Sequence, residues 1–369
     1  MEVLRNDQLN VGAKSADSAA QGAVSGRSPA QEFEPLQDTF GRTFDYVRIG
    51  VTEKCNLRCT YCMPEEGVDF KNGEQVLTSD EILRIIDVLA RMGIKKVRFT
   101  GGEPLVRKDI LKLVEGAANT PGIKSVHLTS NGIIFGKYAK QLREAGLTGV
   151  NISLDTLDPD KFVKITRRTG VEKVQEAIHT ALDLGFPRVK LNTVVMRGFN
   201  DDELHAFTEL SKDAPITVRF IEFMPFDAHQ IWETGEYFLS AETMVKNLRE
   251  WYPGIDSSSG TRTEHHIFQV PGYQGKIAVI PAFTRSLCGN CSRIRLTSDG
   301  GIRNCLYSDQ EYSLMDLVRN ESPDEEIVSV FRQAFQEKAK DGFESRKQSA
   351  LKESTIQWAG RTSMTQIGG

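Results

Sequence analysis

Residues 46–64 read YVRIGVTEKCNLRCTYCMP, a short apolar alternation that runs into three closely spaced cysteines. Val47, Ile49 and Val51 recur every second residue, and this period predicts a strand over Tyr46–Val51 with one face apolar. Cys55, Cys59 and Cys62 follow it in a C-x3-C-x2-C spacing, on the segment that must leave the strand. A strand whose C-terminal end carries the unusual side chains is the way a parallel α/β sheet presents chemistry.

The same unit repeats along the chain. Strands are expected at Lys96–Thr100, Ser125–Thr129, Gly149–Leu154, Val189–Val195 and Val218–Phe223. Helical periods lie between them at Thr78–Met92, Lys108–Ala118, Gly136–Ala145, Val171–Leu184 and Asp201–Lys212. Gly93, Gly146 and Gly185 stand where a C′ glycine closes a helix. Strand–helix units in series imply a parallel sheet with right-handed crossovers. Six units are too few for a closed eight-stranded barrel. The expected fold is therefore α/β: a partial (β/α)6, TIM-like barrel over 40–224, with a smaller C-terminal domain over 225–369. Residues 1–39, rich in Ala, Ser, Gly and Gln, are expected to be a disordered tail. Within the C-terminal unit, Ser240–Trp251 reads as a helix and Ile267–Val270 with Lys276–Ile280 as a strand pair. Ser257–Gly260 reads as a loop.

The chain has 369 residues, 39% hydrophobic and 26% charged, with a formal net charge of -4; this suits a globular protein with a real core and gives no global attraction to nucleic acid. No apolar run approaches the ~20 residues of a membrane span. No basic n-region followed by an apolar h-region opens the chain, so a cytoplasmic location is expected, with no membrane partner. Six cysteines in a reducing compartment are poor candidates for structural disulfides. They fall into two triplets, the second being Cys288, Cys291 and Cys305 in a C-x2-C-x13-C spacing. Three thiolates hold three irons of a [4Fe–4S] cluster and leave the fourth iron open to a small molecule. A zinc knuckle completed by a distant ligand competes for the first triplet, and a structural metal site competes for the second.

The sheet also carries cations where they are expensive to bury. Arg48, Lys96, Arg98, Lys190 and Arg219 lie on four predicted strands, with Lys96 and Arg98 on one face. Such a group calls for partner carboxylates or an anionic ligand, and a polyanion accounts for five cations on four strands.

Four motifs carry a resemblance. C-x3-C-x2-C resembles the signature of the radical S-adenosylmethionine superfamily. Thr100-Gly101-Gly102-Glu103-Pro104 after the second strand resembles its GGE(P) turn, where glycines admit a ligand close to the backbone. The segment from Cys288 to Cys305, with Arg293-Ile294-Arg295 inside it, and the terminal Gly368-Gly369 resemble the GTP 3′,8-cyclase family, which begins molybdenum cofactor biosynthesis. The resemblance runs from about Asp38 to Gly369.

The resemblance implies two [4Fe–4S] clusters and S-adenosylmethionine as cofactors and a radical SAM barrel as the fold. It assigns Tyr61, Gly102, Ser153 and Met224 to adenosylmethionine, with Glu103 near its ammonium. It assigns Arg48, Lys96, Arg98, Thr129, Lys190, Arg219, Arg293, Ile294 and Arg295 to GTP. Arg293 and Arg295 with Gly368 and Gly369 are its catalytic candidates. The implied reaction abstracts hydrogen from C3′ of GTP and joins that carbon to C8. The implied partners are GTP, a reductant such as flavodoxin or ferredoxin, a downstream pterin-forming synthase and a second copy in a homodimer. Lys338–Trp358 departs from the family pattern, so the path of the tail is open. A radical enzyme acting on a peptide, or a non-catalytic iron–sulfur nucleotide sensor, are the rival readings.

Overall fold

The computed structural model describes residues 33–224, 236–258, 266–284, 288, 291–350, 361 and 363–368. The strands are β1 (Tyr46–Gly50), β2 (Lys96–Thr100), β3 (Ser125–Ser130), β4 (Leu147–Ser153), β5 (Arg188–Val195) and β6 (Thr217–Glu222), then β7 (Asp256–Ser258), β8 (His266–Gln269), β9 (Lys276–Ile280), β10 (Arg293–Leu296), β11 (Gly301–Arg303) and β12 (Tyr312–Ser313). The helices are α1 (Ser79–Arg91), α2 (Ile110–Asn119), α3 (Phe135–Glu144), α4 (Pro159–Thr166), α5 (Val171–Asp183), α6 (Leu204–Glu209), α7 (Ala241–Trp251), α8 (Met315–Arg319), α9 (Asp324–Gln336) and α10 (Gly342–Ala350).

Local chemistry explains the helices that the periodicity predicts. Thr78 and Glu81 form a reciprocal capping box at the start of α1: Glu81 N donates to Thr78 Oγ1 at 3.2 Å and Thr78 N to Glu81 Oε2 at 2.7 Å. Ile82, Ile85, Ile86 and Leu89 then form one buried stripe against the sheet. Gly93 ends the element at φ +94°, a conformation costly for any residue with a Cβ. α4 is not predicted by the hydrophobic period. Its signal is short: Asp158 caps the backbone of Asp160 and Lys161, and Pro159 occupies the first turn.

All strands belong to one open sheet in the order β12-β11-β10-β1-β2-β3-β4-β5-β6-β9-β8-β7. From β10 through β6 to β9 every neighbouring pair is parallel, and antiparallel strands flank both edges. The segment after residue 224 extends the same sheet at both edges, and Ile294, Leu296, Phe331 and Phe335 join the same buried core as Val47 and Phe99. Ser257 and Ser258, expected in a loop, belong to β7.

The tail also ends earlier than expected. Leu36 is fully buried, its N–H donates to Met92 O at 3.3 Å, and Asp38 folds the next turn by accepting from Phe40 N and Arg42 N. One apolar side chain and one Asx turn are enough to order 33–39, too little to register in a composition window. Residues 1–32 of the expected tail lie outside the described residues.

A parallel sheet packed on both faces reads as continuous apolar runs. Here the runs alternate. Val47, Ile49, Val97 and Phe99 are buried in the apolar core, while Arg48, Lys96 and Arg98 line a cavity.

Candidate active site

The first triplet sits on a loop held from three sides. Cys62 N and Met63 N both donate to Cys59 O at 3.0 Å, making a tight turn. Arg58 N and Thr60 N bond the carbonyls of Thr166 and Ile165 at the end of α4. Gly102 N donates to Thr52 O and Glu103 N to Lys54 O, both at 2.8 Å, so the turn after β2 runs along the cysteine loop. A Cβ on Gly102 would lie 2.4 Å from Lys54 O, and one on Gly101 2.2 Å from Thr52 O. The glycines therefore bring two backbones together. Gly102→Ala is expected to cost about 2–3 kcal/mol, because a backbone atom cannot step aside. A thermal melt and the iron content of the reconstituted variant check this; an unchanged melt with full iron loading would contradict it.

Burial sets the chemistry of these thiols. It pushes Cys55 up to about 11 and Cys62 to about 12, and holds Cys59 well above the ordinary range, where Cys62 and Asp155 raise it further. Bare thiolates are therefore disfavoured, and a cationic metal core is what would deprotonate them. Leu57 N and Asn131 Nδ2 already point donors at Cys55 Sγ, at 3.4 and 3.7 Å. An all-sulfur donor set with N–H···S support suits an iron–sulfur cluster.

Glu103 does not face the cavity. It is fully buried and accepts from Leu105 N and Ser130 Oγ at 3.0 Å and from Asn131 N at 2.7 Å. Burial pushes its carboxyl up to about 7 against the pull of those donors. In this structure the carboxylate holds the β2 and β3 turns together through three protein donors.

The cavity, about 890 Å³, runs along the sheet from the first residues of β1, β2 and β5 to the turns that follow the C-terminal ends of β1 and β2. Cys55, Cys59, Tyr61, Cys62, Gly102, Ser153 and Met224 line it, as do Arg48, Lys96, Arg98, Thr129, Lys190, Arg219, Arg293 and Arg295. Such a volume lies at the upper end for small-molecule sites, ~300–1,000 Å³. The sheet register explains the convergence. Arg295, Arg48 and Arg98 are direct neighbours across β10, β1 and β2, and Arg293, Tyr46 and Lys96 form the adjacent row. Lys190 pairs with Asn151, and Arg219 with Asn192. Ile294 is the exception among the predicted residues. It faces the opposite side of β10 from the two arginines and is fully buried in the apolar core, so only its backbone is near the site.

Stacked cations raise each other's energy. Burial, then Arg295, lowers Arg48 to about 9; burial, then Arg293, lowers Arg295 to about 10. Arg98 is held by Tyr46 Oη at 2.7 Å and Thr129 Oγ1 at 3.2 Å, with His127 Nδ1 at 3.4 Å. Among the described residues neither Arg48 nor Arg98 has a carboxylate within 4 Å, and Arg48 Nε and Asn151 Oδ1 are buried with no hydrogen-bond partner. A site so charged and so incompletely bonded is built for an anion with many acceptor oxygens.

The second triplet lines a smaller cavity of about 120 Å³. Arg42, Ile280, Ala282, Arg293, Arg295 and Leu306 line both cavities, so the two triplets belong to neighbouring cavities that share the arginine pair as part of their wall.

The C-terminal tail returns to the first triplet. Ser363 Oγ donates to Cys62 O at 2.8 Å and Met364 N at 3.2 Å, and Met364 and Thr365 line the large cavity. Gly368 packs on β1: a Cβ on Gly50 would lie 3.3 Å from its Cα. Gly369 and most of Lys338–Trp358 beyond α10 lie outside the described residues. Three contributors were missed by the motifs. Asp155 accepts from Tyr61 Oη and Val194 N, both at 2.8 Å, and burial pushes it up to about 6. Its signal is its place two residues after Ser153, on the same face. Asn131 was hidden because only the fold brings it to Cys55. Arg361 reaches Glu53, Asp299 and Glu311, residues far apart in sequence.

Similarity to known proteins agrees with this geometry. Residues 49–210 match the Radical SAM superfamily and residues 216–343 the Molybdenum Cofactor Synthesis C family. The chain is 45% identical over 334 residues to a GTP 3′,8-cyclase of Chlorobaculum tepidum, covering 90% of this chain and 97% of that protein. It is 43% identical to the mitochondrial GTP 3′,8-cyclase of Arabidopsis thaliana, covering 82% of this chain and 77% of that one. It is also 43% identical to human Molybdenum cofactor biosynthesis protein 1, over 80% of this chain, and spans about half of that longer relative, 46%. Among solved structures, Streptococcus suis SuiB bound to S-adenosylmethionine superposes with a TM-score of 0.52 at 14% identity, covering 76% of this chain and 66% of that one, a likeness of fold. With a cysteine triplet in each of two adjoining cavities and 45% identity over 90% of its length to a GTP 3′,8-cyclase, the chain belongs to the GTP 3′,8-cyclase family of the radical S-adenosylmethionine superfamily.

Proposed function

We propose that this chain converts GTP to 3′,8-cyclo-7,8-dihydro-GTP, the first step of molybdenum cofactor biosynthesis. The observation that carries the reading is the row Arg295–Arg48–Arg98 in a cavity lined by the first cysteine triplet, with Arg295 shared with the adjoining cavity of the second. Cys55, Cys59 and Cys62 would hold one [4Fe–4S] cluster and Cys288, Cys291 and Cys305 the other. When bound, the first cluster and S-adenosylmethionine supply the radical that takes a hydrogen atom from C3′ of GTP.

The chain's own residues bind and orient. Arg48, Lys96, Arg98, Lys190 and Arg219 receive the triphosphate, whose charge relieves their mutual repulsion. Arg293 and Arg295, on the strand shared by both cavities, fix the nucleotide between the triplets. Tyr61, Ser153 and Met224 line the end nearest the first triplet, with Gly102 supplying backbone, and Asp155 holds the Tyr61 hydroxyl. The sheet floor and the returning tail exclude water from this space. We further propose a flavodoxin- or ferredoxin-type reductant, a homodimer, a pterin-forming enzyme that consumes the product, and a cytoplasmic location. Among the described residues no helix is long and apolar enough to cross a membrane.

The test is anaerobic incubation of the reduced, reconstituted protein with GTP and S-adenosylmethionine. The cyclised nucleotide and 5′-deoxyadenosine are expected in equal amounts. 5′-Deoxyadenosine formed only with a different substrate, such as a peptide, would overturn the reading.

A further inference from the structure

We propose that Lys338 is the fixed counter-charge of the second cysteine triplet and sets the reduction potential of the cluster held there. The inference rests on the two-cluster reading above. Lys338 is two residues beyond the end of α9, yet the residue is only 5% exposed. It lines the small cavity together with Cys288, Cys291 and Cys305. Its ammonium donates to the backbone carbonyl of Asn304, the residue before Cys305, and lies about 6 Å from the ring centres of Phe44 and Phe335. Asn304 in turn donates from Nδ2 to Ala334 O at 2.7 Å, fixing the end of α9 to the strand that leads to Cys305.

Among the described residues no carboxylate lies within 4 Å of this ammonium. The acid that shares the cavity, Asp341, is occupied: its Oδ1 accepts from Phe343 N and Glu344 N, both at 2.9 Å, at the start of α10. Three other cations line this cavity: Arg42 is spent on Asp38 and on the carbonyls of Cys288, Ala339 and Lys340, and Arg293 and Arg295 belong to the row shared with the large cavity. A buried ammonium with one acceptor and no counter-ion is costly unless something negative stands opposite. The three thiolates are the negative group in that cavity. Net charge is one determinant of an iron–sulfur potential, and a nearby cation favours the reduced, more negative state. A purely structural lysine would serve α9 as a C-terminal cation and would leave the potential unmoved.

The test uses the full chain with Cys55, Cys59 and Cys62 replaced by alanine, so that only the second triplet loads iron. Its cluster is titrated anaerobically with a graded reductant and followed by electron paramagnetic resonance. Lys338→Met, of similar length and uncharged, is expected to shift the reduction equilibrium at least tenfold toward the oxidised form, 59 mV for one electron. Lys338→Arg is expected to stay within threefold of the parent. A Lys338→Met protein that loads no iron while Lys338→Arg loads fully also supports the proposal. An unchanged potential in Lys338→Met overturns it. So does loss of both iron and the apo thermal transition in both variants, which would mark a packing role. If the parent itself takes up no iron, the two-cluster reading falls first, and the two failures are thereby distinguished.

Discussion

Arg361→Ala is expected to release the C-terminal tail and destabilise the protein by about 3–5 kcal/mol, the cost of removing one partner from a buried ion pair. The guanidinium binds Asp299 at 2.9 Å, Glu311 at a short contact and Glu53 at 3.6 Å, and donates to Gln366 O at 3.0 Å. Lys71 and Arg303 remain beside Asp299 and Glu311, but Glu53, fully buried, keeps only the Lys71 backbone N–H on its other oxygen. Glu53 is two residues before Cys55, so its disturbance reaches the first triplet. Amide hydrogen exchange across 363–368 and 53–63, with a thermal melt, reads the outcome. A loss below about 1 kcal/mol with tail protection intact would show that the tail docks without this arginine.

Arg295→Met is expected to move stability and binding in opposite directions. Without the nucleotide, Arg295 repels Arg48 across a strand pair in a desolvated site, so its removal stabilises the empty protein by an amount on the order of 1–3 kcal/mol. With the nucleotide, one charge-assisted partner is lost, about 1.5–3 kcal/mol or roughly 10- to 150-fold in GTP affinity. Both guanidinium pKa values are lowered by folding, so the unfolded chain holds these protons to higher pH. The stability penalty is complete below about pH 9 and fades as pH rises through 9 and 10. The stability of the empty wild-type protein should therefore gain from these two groups only above about pH 9, toward the unfolded arginine value, and the gain should shrink in Arg295→Met. Denaturant melts across that range and isothermal titration with GTP test both halves. A destabilised empty variant, or unchanged affinity, would show that the row is not under charge strain.

The parts of this fold written in local chemistry were legible in the sequence. α1 announces itself through Thr78, Glu81, a buried stripe and Gly93, and β1 through Val47 and Ile49. β10 was not, because Arg293-Ile294-Arg295-Leu296 becomes a strand only by pairing with β1, far away in the chain. The side-chain direction of Ile294 was not legible either: motif membership does not say which face a residue takes, and strand alternation sends Ile294 to the core between two cavity-lining arginines. The protein donors to Glu103 were hidden because Ser130 and Asn131 come from the next strand and its turn. The cations on β1, β2, β5 and β6 were readable because charge inside a strand is conspicuous on its own.

The open sheet also carries a consequence for how the protein is made. β10 supplies one neighbour of β1 and β9 one neighbour of β6, yet both are encoded after the six central strands. During translation the edge of β1 waits for a partner about 250 residues downstream, on the order of 10–50 s at ordinary ribosomal speeds. Through that interval the nascent chain exposes an unpaired strand edge beside its apolar core, a template for pairing with other chains. The cation row cannot be complete until β10 arrives, so the triphosphate site proposed above is absent from the incomplete chain. Substrate binding and quality control are thereby joined: a chain able to hold the triphosphate has already closed its most aggregation-prone edge.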